Sequence, residues 1–161
     1  METISRFRPT RRAEHERPQE QPAAEDLVRQ REQVLGELRE DFNAEATARV
    51  RLGDASRRLV AYALVAPGES PVPTLASARR YAEREGHQVV REIADATGPL
   101  DPCRRPGYLE ARRLVMAGYA EGLVVQAMRD ISAEPDAYER EIRDMGERYA
   151  LVLLARPETQ S

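Results

Sequence analysis

From residue 58 onward, short apolar runs alternate with segments of helical periodicity, and few folds accept that pattern. Leu59–Ala66 is a continuous apolar run of strand length, as expected of a strand buried on both faces. Pro67–Gly68 and Pro71–Val72–Pro73 mark a loop. Thr74 is placed to cap a helix carrying Leu75, Ala78, Tyr81 and Ala82, which Gly86 ends. Gln88–Ile93 reads as a second strand, and Ala94–Arg105, with Gly, two Pro and Asp, as a mobile loop. Pro106–Gly107 opens a helix with Leu109, Leu114 and Val115 inward. Gly122–Met128 is a third strand. Ser132–Tyr149 is a helix turning Tyr138, Ile142 and Met145 inward, Ala150–Ala155 is a fourth strand, and Pro157 ends regular structure. Strands alternating with helices imply βαβ units and therefore a parallel four-stranded sheet flanked by helices, with right-handed crossovers. Ligands on such sheets sit beyond the strand C-termini. Here that edge carries Ala66–Ser70, Asp95–Arg105 and Arg129–Ala133.

The chain before this α/β domain (residues 58–156) divides in two. Residues 1–22 are rich in Arg, Glu, Gln and Pro and hold almost no large apolar side chain after Phe7. Such a segment cannot bury enough surface to offset its ordering entropy, so it is expected to be disordered. Arg6, Arg8, Arg11 and Arg12 would suit a nucleic-acid arm. The interleaved Glu14, Glu16 and Glu20 favour a solvated polyampholyte. Residues 23–57 contain no Pro, and Leu27, Val34, Leu35, Leu38 and Phe42 recur at helical spacing. A long amphipathic N-terminal helix of this kind needs a partner for its stripe. Docking on its own domain and pairing with a second copy both satisfy that need. Residues 157–161 form a short C-terminal tail.

Charge narrows the possible partners. The 161-residue chain has a net charge of −3, which does not favour coating nucleic acid non-specifically. All 25 cations are Arg. The lone Cys103 excludes an internal disulfide and any cysteine cluster. With His15 and His87 far apart, neither a metal site nor a cofactor is expected. No run approaches the length needed to span a bilayer, and the N-terminus lacks the apolar core of a signal peptide, so a cytoplasmic protein without membrane contact is expected.

Several motifs along the predicted strand edge resemble those of the serine recombinase (resolvase/invertase) catalytic domain, across about residues 59–156. Tyr62, Leu64 and Ala66 stand where that family has Tyr-x-Arg-x-Ser. Asp95–Ala96–Thr97–Gly98 is similar to Asp-x-x-Ser-Gly, one residue shorter. Arg105–Pro106–Gly107–Tyr108 resembles Arg-Pro-Gly-Leu, and Gly122–Leu123–Val124–Val125 matches the third strand. Met128–Arg129–Asp130–Ile131–Ser132–Ala133 falls where the family has Leu-Asp-Arg-Leu-Ser-Arg.

The resemblance implies a resolvase-like fold. It also implies a chemistry in which a Ser hydroxyl attacks a DNA phosphate gripped by clustered Arg side chains. The residues depart from it: Ala66 replaces the nucleophile, Leu64 the first-strand Arg, and Asp130 and Ala133 the two Arg of the third-strand motif. An anion at Asp130 would face the phosphate. Asp95 and Arg105 are retained. Arg105, Arg104 and Arg129 are the candidates for a remnant phosphate or DNA site. Ser70, in the Pro/Gly loop four residues after Ala66, and Ser77, at the start of the next helix, are the candidates for a relocated nucleophile, but either would lack the Arg cluster. The family continues beyond the fourth strand into a dimerisation helix and a DNA reader, whereas this chain stops at Ser161, so both are expected to be missing.

The reading these residues support is a catalytically inactive, resolvase-like interaction or regulatory module. Its expected partners are a second copy, through residues 23–57, or an active recombinase. The rivals are a DNA-associated protein that binds weakly through the tail and remnant pocket, an active recombinase with relocated residues, and a small-ligand binder at the strand edge.

Overall fold

The computed structural model describes residues 23–50 and 55–160. The expectations for residues 1–22, and for residues 51–54 of the expected helical segment, lie outside the described residues. Four parallel strands, β1 (Arg58–Leu64), β2 (Gln88–Asp95), β3 (Gly122–Val125) and β4 (Leu151–Leu154), form one sheet in the order β2-β1-β3-β4. Its helices are α1 (Ala24–Ala48), α2 (Val72–Arg84), α3 (Pro106–Met116), the short α4 (Met128–Ile131) and α5 (Pro135–Gly146). The expected parallel sheet, flanked by helices and preceded by a long N-terminal helix, is the observed architecture. No helix among the described residues is long and apolar enough to cross a membrane.

Strand pleating sorts the core into two layers. Leu59 and Ala61 of β1 face α2, where they pack with Ala78 and Ala82. Val60 and Tyr62 point the other way, into a larger cluster with Tyr108 and Ala111 of α3 and with Tyr138, Ile142 and Met145 of α5. The central strand β1 is accordingly buried along both faces from Leu59 to Ala63. Strand order reverses between β1 and β3, which places a crevice beyond their C-terminal ends.

Several boundaries differ from the sequence expectation. The first helix stops at Ala48 rather than continuing to 57, and Arg57 then returns to bond the carbonyl of Ala46 at 2.9 Å, just before β1 begins. Helix α2 starts at Val72, two residues before Thr74, because a proline at position 73 is tolerated within the first turn. Ser132 is extended. Glu134 instead caps α5 by accepting from the N–H groups of Asp136 and Ala137 (3.1 and 2.7 Å). On α3 the inward face is Tyr108, Ala111 and Val115, whereas Leu109 is exposed.

Helix α1 docks on its own domain. It lies over α5 and along the outer edge of β4, burying Leu35 and Ala46, with Leu38 and Phe42 partly covered. Leu27 and Val34, expected on the same apolar face, remain 53% exposed each. Asn43 completes the ladder of β4: its amide nitrogen donates to the carbonyl of Val152 at 2.8 Å, and its amide oxygen accepts from the N–H of Val152 at 2.9 Å. Phe42 rests directly on Gly146 of α5, where an added methyl would overlap the Phe42 ring. Gly146→Ala is therefore expected to lower stability by about 1–3 kcal/mol through overpacking, measured by urea denaturation. Unchanged stability would show that the α1–α5 contact is looser than this.

A charged cluster on the same buried face pins the helix further. Glu158, which lies beyond Pro157 in a short 3-10 turn and is 1% exposed, accepts from Arg39 Nε at 2.6 Å, from Arg39 Nη2 at 3.1 Å and from the Tyr138 hydroxyl at 2.6 Å. The tail expected to lack regular structure thus ends in a buried ion pair. That pair joins α1, α5 and the C-terminal turn.

Candidate functional site

The crevice at the β1/β3 switch point is a cleft of about 260 Å³. Leu64, Leu100, Asp101, Arg129, Ser132 and Ala133 are among its lining residues. Beneath it lies a buried polar network built from the ends of β1, β2, α3 and α4. Tyr62 and Asp95 come from adjacent strands. The Tyr62 hydroxyl donates to Asp95 Oδ2 at 2.8 Å and accepts from Arg105 Nη1 at 3.0 Å. Arg105 has no exposed surface. It also donates from Nη1 to the carbonyl of Asp130 at 2.7 Å and from Nη2 to the carbonyl of Ile131. Its guanidinium carbon lies 5.1 Å from the Tyr108 ring centre and 5.7 Å from that of Tyr62, within cation–π range. The two rings meet edge to face at 5.3 Å.

The Arg-Pro-Gly-Tyr segment is explained locally. Arg105 precedes α3, and Pro106 opens it where no N–H is required. The N–H groups of Gly107 and Tyr108 donate to the Asp95 carboxylate at 2.9 and 2.8 Å. A carboxylate at a helix N-terminus is favoured by the helix dipole. Gly107 is required because a methyl there would meet Asp95 Oδ2 at 2.7 Å. Burial pushes both tyrosine hydroxyls well above their ordinary range; at Tyr62 the Arg105 charge opposes that rise without cancelling it. Both remain neutral donors near neutral pH.

Asp130 does not present an anion to the cleft, contrary to the sequence expectation. It is buried, and its carboxylate accepts from the N–H groups of Leu64 (3.1 Å) and Ala127 (2.9 Å), tying the end of β1 to the start of α4. Burial raises its pKa, and those two backbone donors only partly offset the rise. Arg105 likewise does not face the cleft: four-residue α4 closes over it, and its Nη groups are spent on internal acceptors. Arg129 and Arg104 are exposed, and Arg129 lines the cleft. Ala66 and Ala133 are exposed at the strand edge, and Leu64 is partly buried. The segment Ala94–Arg105, expected to be a mobile loop, contributes Asp95 to β2 and a 3-10 turn at Pro102–Arg104 capped by Asp101. Cys103 is exposed.

Among the described residues, the arrangement offers a cleft lined by one guanidinium, that of Arg129, with no hydroxyl between clustered cations. Ser70 accepts from the N–H of Val72 at 3.3 Å, and Ser132 accepts from the N–H of Glu134 at 3.1 Å, both as local turn bonds.

No family model matches the chain, and no curated protein matches it. Among solved structures, the chain is similar to the N-terminal catalytic domain of TP901-1 integrase, with a TM-score of 0.51 and 18% identity over 58% of this chain and 72% of that one. It is also similar to the C-terminal catalytic domain of ISC1926 TnpA, an IS607-like serine recombinase, with a TM-score of 0.49 and 21% identity over 60% of this chain and 67% of that one. The all-parallel sheet and the helices on its two faces thus have the fold of that integrase's catalytic domain, the serine recombinase catalytic-domain fold.

Proposed function

We propose that this protein is a catalytically inactive domain of serine recombinase fold that acts as an interaction or regulatory module. The observation that carries this reading is Arg105. It is the one family-type arginine retained among those weighed in the sequence, and its guanidinium is buried, with both Nη groups bonded to Tyr62 and to the carbonyls of Asp130 and Ile131. At the neighbouring positions Ala66 offers no attacking oxygen, and Leu64 and Ala133 offer no cation. Phosphoryl-type transfer draws most of its acceleration from preorganised charge around the transition state, so a cleft without clustered cations supplies little of it. Asp95, also retained, serves the N-terminus of α3 and the Tyr62 hydroxyl.

The test is restoration. Ala66→Ser is expected to form no covalent adduct with a nicked or supercoiled DNA substrate on denaturing gels, because the hydroxyl would stand without its arginines. An adduct formed by Ala66→Ser, or a Ser70-dependent adduct in the unaltered protein, would refute the reading.

A second reading, weak DNA association, is favoured by Arg129, which stands exposed at the mouth of the cleft with Arg104 on the neighbouring turn. It predicts a mobility shift at low salt that fades steeply as salt rises and that Arg129→Ala weakens. Absence of any shift at low salt would remove it. In either reading a second copy or an active recombinase is the proposed protein partner.

A further inference from the structure

His87 is one of two histidines in the chain and lies away from the strand-edge cleft. It stands in the turn between α2 and β2, where its partly buried imidazole meets the segment that enters β1. Its Nδ1 accepts from the backbone N–H of Arg57 at 3.1 Å. One residue on, the N–H of Gln88 donates to the carbonyl of Arg57 at 2.8 Å. Both backbone polar groups of Arg57 are therefore held by this turn.

The side chain of Arg57 is held from two other directions. Its Nη2 donates to the carbonyl of Ala46 near the end of α1 at 2.9 Å, and its Nη1 donates to Glu121, ahead of β3, at 3.4 Å. Glu121 also accepts from the N–H of Arg58 at 2.9 Å. Ala46 in turn is buried in the core layer on the α2 side of the sheet. Arg57 thus ties the C-terminal end of α1 to the entrances of β1, β2 and β3. Among the described residues, His87 supplies the acceptor for its N–H.

We propose that His87 is a proton-operated latch on α1: the neutral imidazole holds Arg57 in place, and the imidazolium releases it and loosens the last turn of the helix. Neutral imidazole accepts at one ring nitrogen and donates at the other, so acceptance at Nδ1 puts the proton on Nε2. Protonation of Nδ1 sets two N–H donors face to face and places a second cation beside Arg57. The N–H of Arg57 then loses its acceptor.

The charged groups facing His87 are Glu85 at the end of α2, Arg57 ahead of β1, and Glu121 ahead of β3. Burial has the largest influence and disfavours the imidazolium. Arg57 adds to it, and Glu85 and Glu121 oppose it, which leaves the ring below the usual histidine range. A base whose pKa is lowered by folding contributes stability that is complete above its unfolded value, about 6.5. That stability is lost as pH falls from there through the lower folded value. The latch is therefore closed at neutral pH and opens on acidification. It acts on α1 and is independent of whether the strand-edge cleft is inert.

The experiment is an NMR titration of the full chain through the histidine range. Imidazole nitrogen shifts are expected to show His87 as the Nε2–H tautomer at neutral pH, with a midpoint below about 6.5. The backbone amides of Arg57 and of Thr47–Val50 should shift with that same midpoint. Protection of the Arg57 amide from hydrogen exchange, relative to its intrinsic rate, should fall several-fold across it. His87→Asn, whose Oδ1 accepts from near the position of Nδ1 and does not titrate, should keep that amide protected and abolish the coupled shifts. An Nδ1–H tautomer at neutral pH, a midpoint at or above about 6.5, Arg57 and α1 amides that ignore the titration of His87, or coupled shifts that persist in His87→Asn would each overturn the proposal.

Discussion

Arg105→Ala is expected to lower the stability of the domain by about 4 kcal/mol, measured by urea denaturation, through two additive effects: buried acceptors left unsatisfied and a cavity where the side chain lay. The carbonyls of Asp130 and Ile131 and the oxygen of Tyr62 would all lose a donor at sites closed to water. Tyr62 would still donate to Asp95, so the break would be felt first at the junction of α4 with β1. A loss this large is a substantial share of the ~5–15 kcal/mol that holds a typical domain together. Arg105→Lys is expected to recover only part of it, because a single ammonium cannot span the three acceptors that the planar fork reaches. A phosphate ligand would behave in the opposite way. Its removal would weaken DNA binding and leave the urea midpoint nearly unchanged, and that outcome would refute the structural role assigned to Arg105.

The second large effect is at Glu158. Glu158→Ala would leave the Arg39 guanidinium in a buried site without its countercharge, a change that typically costs about 3–5 kcal/mol. Its pH dependence gives an independent signature. Burial alone would push the Glu158 carboxyl up, but the hydrogen bonds and charge of Arg39 outweigh that and hold it below the usual glutamate range. A carboxyl depressed in the folded state contributes stability that is present above its unfolded value, about 4.3. That contribution disappears as pH falls through the lower folded value. The intact protein should therefore lose stability on acidification below about pH 4, and Glu158→Ala should lose less over the same interval. Asp130 has the reverse sign: its raised carboxyl favours the fold most at low pH and less as pH rises through the folded value. Equal acid limbs in the two proteins would show that the pair contributes nothing to the pH dependence.

The sequence pattern revealed the sheet because strand and helix periods differ and because Pro and Gly punctuate them. Leu59–Ala63, Val124 and Tyr138 fell where their apolarity placed them. Charged residues were opaque. Arg39 and Glu158 lie 119 positions apart and read individually as solvated, and only the fold brings them together. In the sequence Asp130 reads as an anion aimed at a ligand, since spacing alone does not tell an outward carboxylate from one folded back on backbone N–H groups. Hydropathy favours Leu109 over Tyr108 as the inward residue, whereas in the fold Tyr108 has an acceptor in Glu141 at 2.8 Å and an apolar ring to bury. The Arg-Pro-Gly-Tyr motif was recognisable from its spelling, but its purpose, a cradle for Asp95, was not.

The amide of Asn43 has a consequence for assembly. An open sheet margin is a template for annexing foreign strands, and on the β4 side that template is blocked at Val152 by a side chain imitating a neighbouring backbone. Any oligomer or fibril that grows by lateral strand addition would have to dislodge α1 first or build outward from β2. The outer margin there carries Arg91 and Glu92, both solvent-facing charges that disfavour such growth. Helix α1 therefore acts as a chaperone built into the chain, keeping the β-sheet finite.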